Sequence, residues 1–128
     1  MQRIPCIYFA ESPMHGRGIF TSEDIEEGSL IEICPVIHIP HDQVKIIHGT
    51  VLHDYYYLWG EEQEEAVIVL GYGSVYNHAI HPNAYYVIDY KNQTMDFMSS
   101  RDIKAGEEIT INYNGEFGNA DPVWFSIK

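Results

Sequence analysis

Three stretches of this sequence combine residue types that could do chemistry. The first, Ser12-Pro13-Met14-His15-Gly16-Arg17-Gly18-Ile19-Phe20, sets two glycines one residue apart before a hydrophobic strand. Backbone without side chains can approach a ligand closely and offer bare N–H and C=O groups. Alone, a Gly-x-Gly is ordinarily a turn, and the third glycine and following helix of a dinucleotide-binding loop are missing. The second stretch, residues 71–84, gathers Tyr72, Tyr76, Asn77, His78, His81 and Asn83 between predicted strands. Asparagine side chains can fix a turn by bonding nearby backbone, and Pro82 sets the exit direction, so an elaborate turn is the plainer alternative. The third, residues 102–113, ends a strand on Tyr113, and the Asn114-Gly115 turn after it leaves the phenol at the strand's mouth. By itself Tyr113 reads as an ordinary half-buried tyrosine.

The elements that must position these groups are mostly strands. Residues 30–39 read as two short strands interrupted at Pro35, since proline cannot donate to a ladder. Residues 67–70, 85–90, 94–98 and 108–113 add further strands, and Lys91-Asn92-Gln93 makes a tight hairpin connection. Helix is scarce: residues 41–50 are the best candidate, with Val44, Ile46 and Ile47 on one face. Residues 21–28 and 99–107 look alike, each a polar turn, an isoleucine (Ile25, Ile103) and a glycine (Gly28, Gly106) that reverses the chain into a strand. The expected architecture is mostly β, with many short strands and turns in several small sheets.

With 128 residues, 45% hydrophobic and 20% charged, the chain fits one domain. No linker, low-complexity tract or repeat divides it, so residues 1–128 are expected to be a single unit. No stretch is apolar and long enough to cross a bilayer or serve as a signal peptide, and an intracellular protein without membrane contact is expected. Cys6 and Cys34 lack Cys-x-x-Cys spacing and read as small buried hydrophobes. Nineteen acidic against seven basic residues give a formal net charge of -12, which repels nucleic acid and favours basic protein partners.

Taken in order, the three segments resemble the SET-domain protein-lysine methyltransferases. The family pattern is Gly-x-Gly, then Asn-His-Ser-x-x-Pro-Asn, then Gly-Glu-Glu-Leu-Thr-x-x-Tyr. Gly16-Arg17-Gly18 matches the first, Asn77-His78 with Pro82-Asn83 the second, and Gly106-Glu107-Glu108-Ile109-Thr110 with Tyr113 the third. The resemblance implies a β-clip SET fold with a variable insert at about 38–66, a C-terminal pseudoknot that brings the second and third motifs together, and a tail at about 115–128. It implies S-adenosylmethionine as cofactor, bound by His15, Gly16, Arg17, Gly18, Asn77, His78 and Tyr113, with Trp124 stacking on the adenine. Tyr113 would be the catalytic tyrosine, and Tyr76, Tyr86 and one of Tyr55, Tyr56 and Tyr57 would help line a lysine channel. The substrate would be a basic lysine-containing protein or peptide, a histone or histone-like tail among them, and the place of action the cytoplasm, or the nucleus in a eukaryotic or viral source.

A lysine amine must be neutral to accept a methyl group. Its reference pKa of about 10.4 makes deprotonation at pH 7 cost roughly 4.6 kcal/mol. A dry aromatic channel lowers that cost by disfavouring the ammonium. Carboxylates such as Glu61, Glu62, Glu64 and Glu65 belong on the rim, where they attract a basic peptide without holding its proton.

Several positions depart from the family pattern. Ala79 stands for the serine after Asn-His, and Ile33 and Pro35 for the Tyr and Gly of a Glu-Tyr-x-Gly run, which puts the methylation level in question. No cysteine-rich zinc segment is present, and dimerisation is expected to complete the substrate groove. A catalytically silent SET-like module that binds a basic tail is the alternative from another class. The pairs His38/His41 and His78/His81 have a spacing that suits a helix face, yet they fall in predicted strand or loop, and no metal is expected.

Overall fold

The structure is a computed structural model that describes residues 2–13 and 16–113. β1 (Ile7–Glu11) and β2 (Arg17–Thr21) pair antiparallel, with Ala10 opposite Gly18 and Glu11 opposite Arg17, so the glycine loop is the tip of a hairpin. β3 (Leu30–Ile39) leads to α1 (His41–His48), a 3-10 turn (Val51–Asp54), β4 (Tyr56–Trp59) and β5 (Glu65–Val69). β6 (Asn77–His78), β7 (Ala84–Asp89), β8 (Thr94–Ser99) and β9 (Glu108–Ile111) follow. Two sheets result, one in the order β1-β2-β9-β6 and one in the order β4-β5-β3-β8-β7. The mostly β architecture is as expected.

Several details differ from what the sequence leads one to expect, among them β1 and β4, strands the pattern does not announce. β3 does not break at Pro35: it pairs with β8 up to Pro35 and with β5 from Val36 onward. The N and C=O of a strand residue point to the same side. The Pro35 carbonyl accepts from Leu70 N, just past the last residue of β5, so the missing N–H falls at the end of that ladder. α1 stops at His48, because Gly49 and Thr50 turn the chain and Thr50 Oγ1 caps the next turn through Leu52 N. Val44 and Ile47 pack against Ile39, Tyr56 and Ala66, whereas Ile46 is 68% exposed and does not share their face. β9 ends before Tyr113, whose N–H turns to the His78 ring.

The two look-alike segments pair with each other. Ile25 and Ile103 exchange both backbone hydrogen bonds at 2.8 Å, Asp24 Oδ1 accepts from Ala105 N, and Asp102 Oδ1 accepts from Glu27 N. Gly28 and Gly106, at φ 81° and 91°, donate to Ser99 O and Thr21 O respectively. Each segment makes on its partner the bonds its partner makes on it, which is why the two sequences match. The joint closes over a core that includes Ile7, Ile19, Ile31, Phe97 and Ile109.

Candidate active site

Two neighbouring regions carry the residues singled out above. The first is the glycine hairpin. Ser12 N donates to Gly16 O, and Gly16 sits at φ 40°, a left-handed conformation that side chains disfavour. At Gly18 the reason for glycine is space. A Cβ there would lie 2.1 Å from Glu108 Oε2 and 2.8 Å from Asn77 Nδ2. Asn77, buried at the start of β6, donates through Nδ2 to Arg17 O at 3.1 Å and Glu108 Oε2 at 2.7 Å, while Ser12 Oγ donates to Glu108 Oε1 at 2.7 Å. Ser12 and Arg17 of this clasp, with Glu11, Gly16, Tyr55 and Val75, also line a cleft of about 460 Å³. Its size falls within the ~300–1,000 Å³ usual for small-molecule sites.

The second region is aromatic. Tyr113 N donates to His78 Nδ1 at 3.0 Å, so Nδ1 is the acceptor and the proton of the neutral ring is on Nε2. The Tyr113 hydroxyl donates to Tyr76 O in a short bond of 2.5 Å. Tyr57 meets Tyr113 and Tyr86 edge to face, at 6.0 and 5.4 Å between ring centroids, and gives its hydroxyl to Gly73 O. The Tyr86 hydroxyl reaches Tyr113 O at 3.4 Å. Burial pushes all three phenols up, Tyr86 to about 12, and the charge of Glu108 adds to the rise at Tyr113. At neutral pH these hydroxyls are donors, not bases.

Tyr76 is fully buried against Phe97, and its hydroxyl donates to Glu32 Oε1 at 2.8 Å. What it offers Tyr113 is therefore a backbone carbonyl. Glu32, 2% exposed, also accepts from Arg3 Nε at 2.9 Å and Tyr72 N at 3.1 Å. Gly71, at φ 64°, leaves room for that carboxylate, since a Cβ would lie 2.4 Å from Glu32 Oε2. Along β3, Glu32 and Cys34 face inward, and burial and the Glu32 charge push the Cys34 thiol up. Ile33 lies on the other face of the sheet, opposite Asp96, so the departure noted there falls away from the aromatic group.

The parallel pairing of β6 with β9 joins the second and third motifs, and the pairing of β2 with β9 adds the first. Asn83 acts as a substitute strand: its Nδ2 donates to Glu108 O and its Oδ1 accepts from Thr110 N, both at 2.8 Å. Ala79 contributes main chain to the same junction, its N–H donating to Ile111 O. His15 and Trp124 lie outside the described residues, as does the tail. Glu61, Glu62 and Glu64 are exposed in the turn between β4 and β5, and His38 bonds Glu65. Among the described residues no three His, Cys, Asp or Glu side chains group as a metal site.

Ser12, Glu32 and Glu108 were not singled out as site residues in the sequence. A carboxylate inside the apolar run Leu30-Ile31-Glu32-Ile33-Cys34 was the available signal for Glu32, because a buried charge needs dedicated partners.

The family model described as the SET domain matches residues 16–114. The histone-lysine N-methyltransferase, H3 lysine-37 specific, of Schizosaccharomyces pombe is 36% identical over 129 aligned residues, covering 96% of this chain and 82% of that protein. A Plasmodium falciparum protein solved as a candidate histone methyltransferase matches with a TM-score of 0.72 at 32% identity, over 93% of this chain and 100% of that one. Polycomb repressive complex 2 of Chaetomium thermophilum, solved in an autoinhibited conformation bound to S-adenosylmethionine, matches with a TM-score of 0.69 at 31% identity, over 89% of this chain and 16% of that one.

Proposed function

Since this chain belongs to the SET-domain family and is an S-adenosylmethionine-dependent protein-lysine N-methyltransferase, we propose that its substrate is a lysine in a histone or histone-like tail and that Tyr113 is its catalytic residue. The observation that carries the reading is the placement of the half-buried Tyr113 hydroxyl on Tyr76 O, beside Tyr57 and Tyr86. Tyr55, the residue two before Tyr57 in the chain, lines the cleft.

The residues of the cleft fit the cofactor. Gly16 presents backbone, and Glu11 and Arg17 offer one carboxylate and one guanidinium to an amino-acid moiety that carries both opposite charges. Gly16, Arg17 and Gly18 hold it mainly through backbone, Asn77 and His78 shape its other side, and His15 and Trp124 take the remaining family roles. When bound, S-adenosylmethionine supplies the electrophilic methyl group on its sulfonium.

The protein's own work is on the amine. Tyr57, Tyr86 and Tyr113 remove water from the lysine, favouring the neutral amine that attacks the methyl carbon. Their hydroxyls are tied to carbonyl oxygens, which fixes the ring edges and the approach line. Tyr76 works through its carbonyl and as a positioning residue, and the released proton passes to water. The net charge of -12 favours a basic tail over nucleic acid. With a histone as substrate, the enzyme acts inside the cell, in the nucleus where the source has one.

The test is incubation with labelled S-adenosylmethionine and a panel of basic proteins including histone H3, for the wild type and Tyr113→Phe. Label on lysine is expected in the wild type and a loss of about 100-fold or more in the variant, with cofactor affinity kept. Unchanged labelling in Tyr113→Phe would remove its role, and cofactor binding without labelling of any substrate would favour the silent module.

A further inference from the structure

Glu108 is a carboxylate tied by a hydrogen bond to Ser12, one of the residues that line the cleft. Both oxygens act as acceptors, Oε1 from Ser12 Oγ and Oε2 from Asn77 Nδ2. Among the described residues no Lys, Arg or His lies within ion-pair distance of it; the ion pairs formed are Arg3 with Glu32, His38 with Glu65, Arg101 with Glu107 and Lys104 with Asp24. The Arg17 guanidinium lies over the Phe9 ring instead. Gly18 presents no Cβ at this point, where one would meet the carboxylate at 2.1 Å. Among the described residues, then, this carboxylate has no ion-pair partner, and it is bonded to Ser12, which lines the cleft. Its field reaches the aromatic group, since it helps raise the Tyr113 phenol.

Methyl transfer changes the charge of the ligand in the cleft. The donor carries a sulfonium, an ammonium and a carboxylate, net +1. The product, after the S–C bond breaks and the methyl goes to nitrogen, is a neutral thioether with net charge 0. We propose that the Glu108 carboxylate makes the cleft charge-selective, holding S-adenosylmethionine in preference to S-adenosylhomocysteine and so favouring exchange of product for fresh donor. The inference rests on the cleft being the cofactor site. The charge difference between the two ligands holds whichever way the ligand lies.

Glu108→Gln keeps the side chain's size and both hydrogen bonds: its carbonyl can accept from Asn77, and its amide can donate to the Ser12 hydroxyl, which accepts as well as donates. Glu108→Asp keeps the charge and shortens the reach. Calorimetric titration of wild type and both variants with S-adenosylmethionine and S-adenosylhomocysteine is the experiment. In Glu108→Gln, donor affinity is expected to fall about tenfold relative to the wild type and product affinity by less than about twofold. In Glu108→Asp both affinities fall together and the preference survives. An equal fall for both ligands in Glu108→Gln, or no change in either, would overturn the inference and leave Glu108 as a structural clasp. A wild type that binds neither ligand would overturn the reading of the cleft itself.

Discussion

Asn77 Nδ2 lies 2.8 Å from the point that a Cβ on Gly18 would occupy, and from there it donates to the Arg17 carbonyl oxygen. The glycine and the asparagine are therefore one device, and Gly18→Ala breaks it. The new methyl displaces a carboxylate held by Ser12 and Asn77, at about 1–3 kcal/mol for an overpacked site. Calorimetry is expected to show cofactor affinity weakened about tenfold or more, with a lower melting temperature. Unchanged affinity would mean that the clasp does not shape the cleft.

Tyr76 and Tyr113 carry hydroxyls with different tasks. Tyr76→Phe leaves the buried Glu32 without one donor, so about 1–3 kcal/mol of stability is expected to go. Its backbone carbonyl stays in place for Tyr113. The catalytic loss in Tyr76→Phe should therefore be much smaller than in Tyr113→Phe, while the loss in denaturant midpoint should be larger. The reverse ranking in both measurements would exchange their roles.

Asn83→Ala strips β9 of two hydrogen bonds, leaving Glu108 O and the buried Thr110 N unanswered. A cost of about 2–4 kcal/mol follows from two such groups. Urea unfolding measures it, and a change under 1 kcal/mol would indicate that β9 finds another partner.

Alkaline stability follows from the raised groups. Burial holds the proton on Cys34 past its ordinary value of 9.0, and on Tyr57, Tyr76, Tyr86 and Tyr113 past 10.0. The unfolded chain releases these protons first, so their contribution is complete below those values and is lost as pH rises through them. Each adds about 1.4 kcal/mol of loss per pH unit once the unfolded group has ionised. Denaturant midpoints should fall gently above about pH 9 and steeply above about pH 10. A flat profile to about pH 11 would show that the folded phenols ionise as readily as free ones.

The pH dependence of the reaction separates two mechanisms. If only the substrate amine must lose a proton, log kcat/KM rises with a slope of about one between about pH 7 and pH 9. If the Tyr113 phenol must also ionise, its raised position keeps it protonated throughout and the slope becomes about two. A slope of one is expected.

The sequence revealed the site where short motifs mark it and hid it where a role is set across the fold. Gly16, Asn77 and Tyr113 each looked ordinary alone and stood out only because three short motifs follow one another in a recognisable order. Glu107 and Glu108 are adjacent and chemically alike, yet Glu108 faces the glycine hairpin while Glu107 faces Arg101 and Lys104 N. That choice depends on the register that sets Phe20 opposite Glu108. Tyr56 and Tyr57 diverge in the same way: alternation along β4 sends Tyr56 to His48 and Tyr57 to Tyr86 and Tyr113. β4 was missed as a strand because its aromatic run showed no polar alternation. Pro35 misled because the end of a ladder, where a missing donor is harmless, cannot be located before the partner strand is known.

The bond between Ser12 and Glu108 spans 96 positions. During synthesis at about 5–20 residues per second, the glycine hairpin waits about 5–20 s before its carboxylate exists. Until β9 inserts between β2 and β6, the growing chain has no Glu108 to hold Ser12 and Asn77, no Tyr113 and an open edge on β2. Such long-range closure makes for slow folding. It also makes the enzyme all-or-none: a chain truncated before β9 has no partial activity to offer, and a pulse-labelled ribosome-bound chain should gain protease resistance and cofactor affinity in the same step.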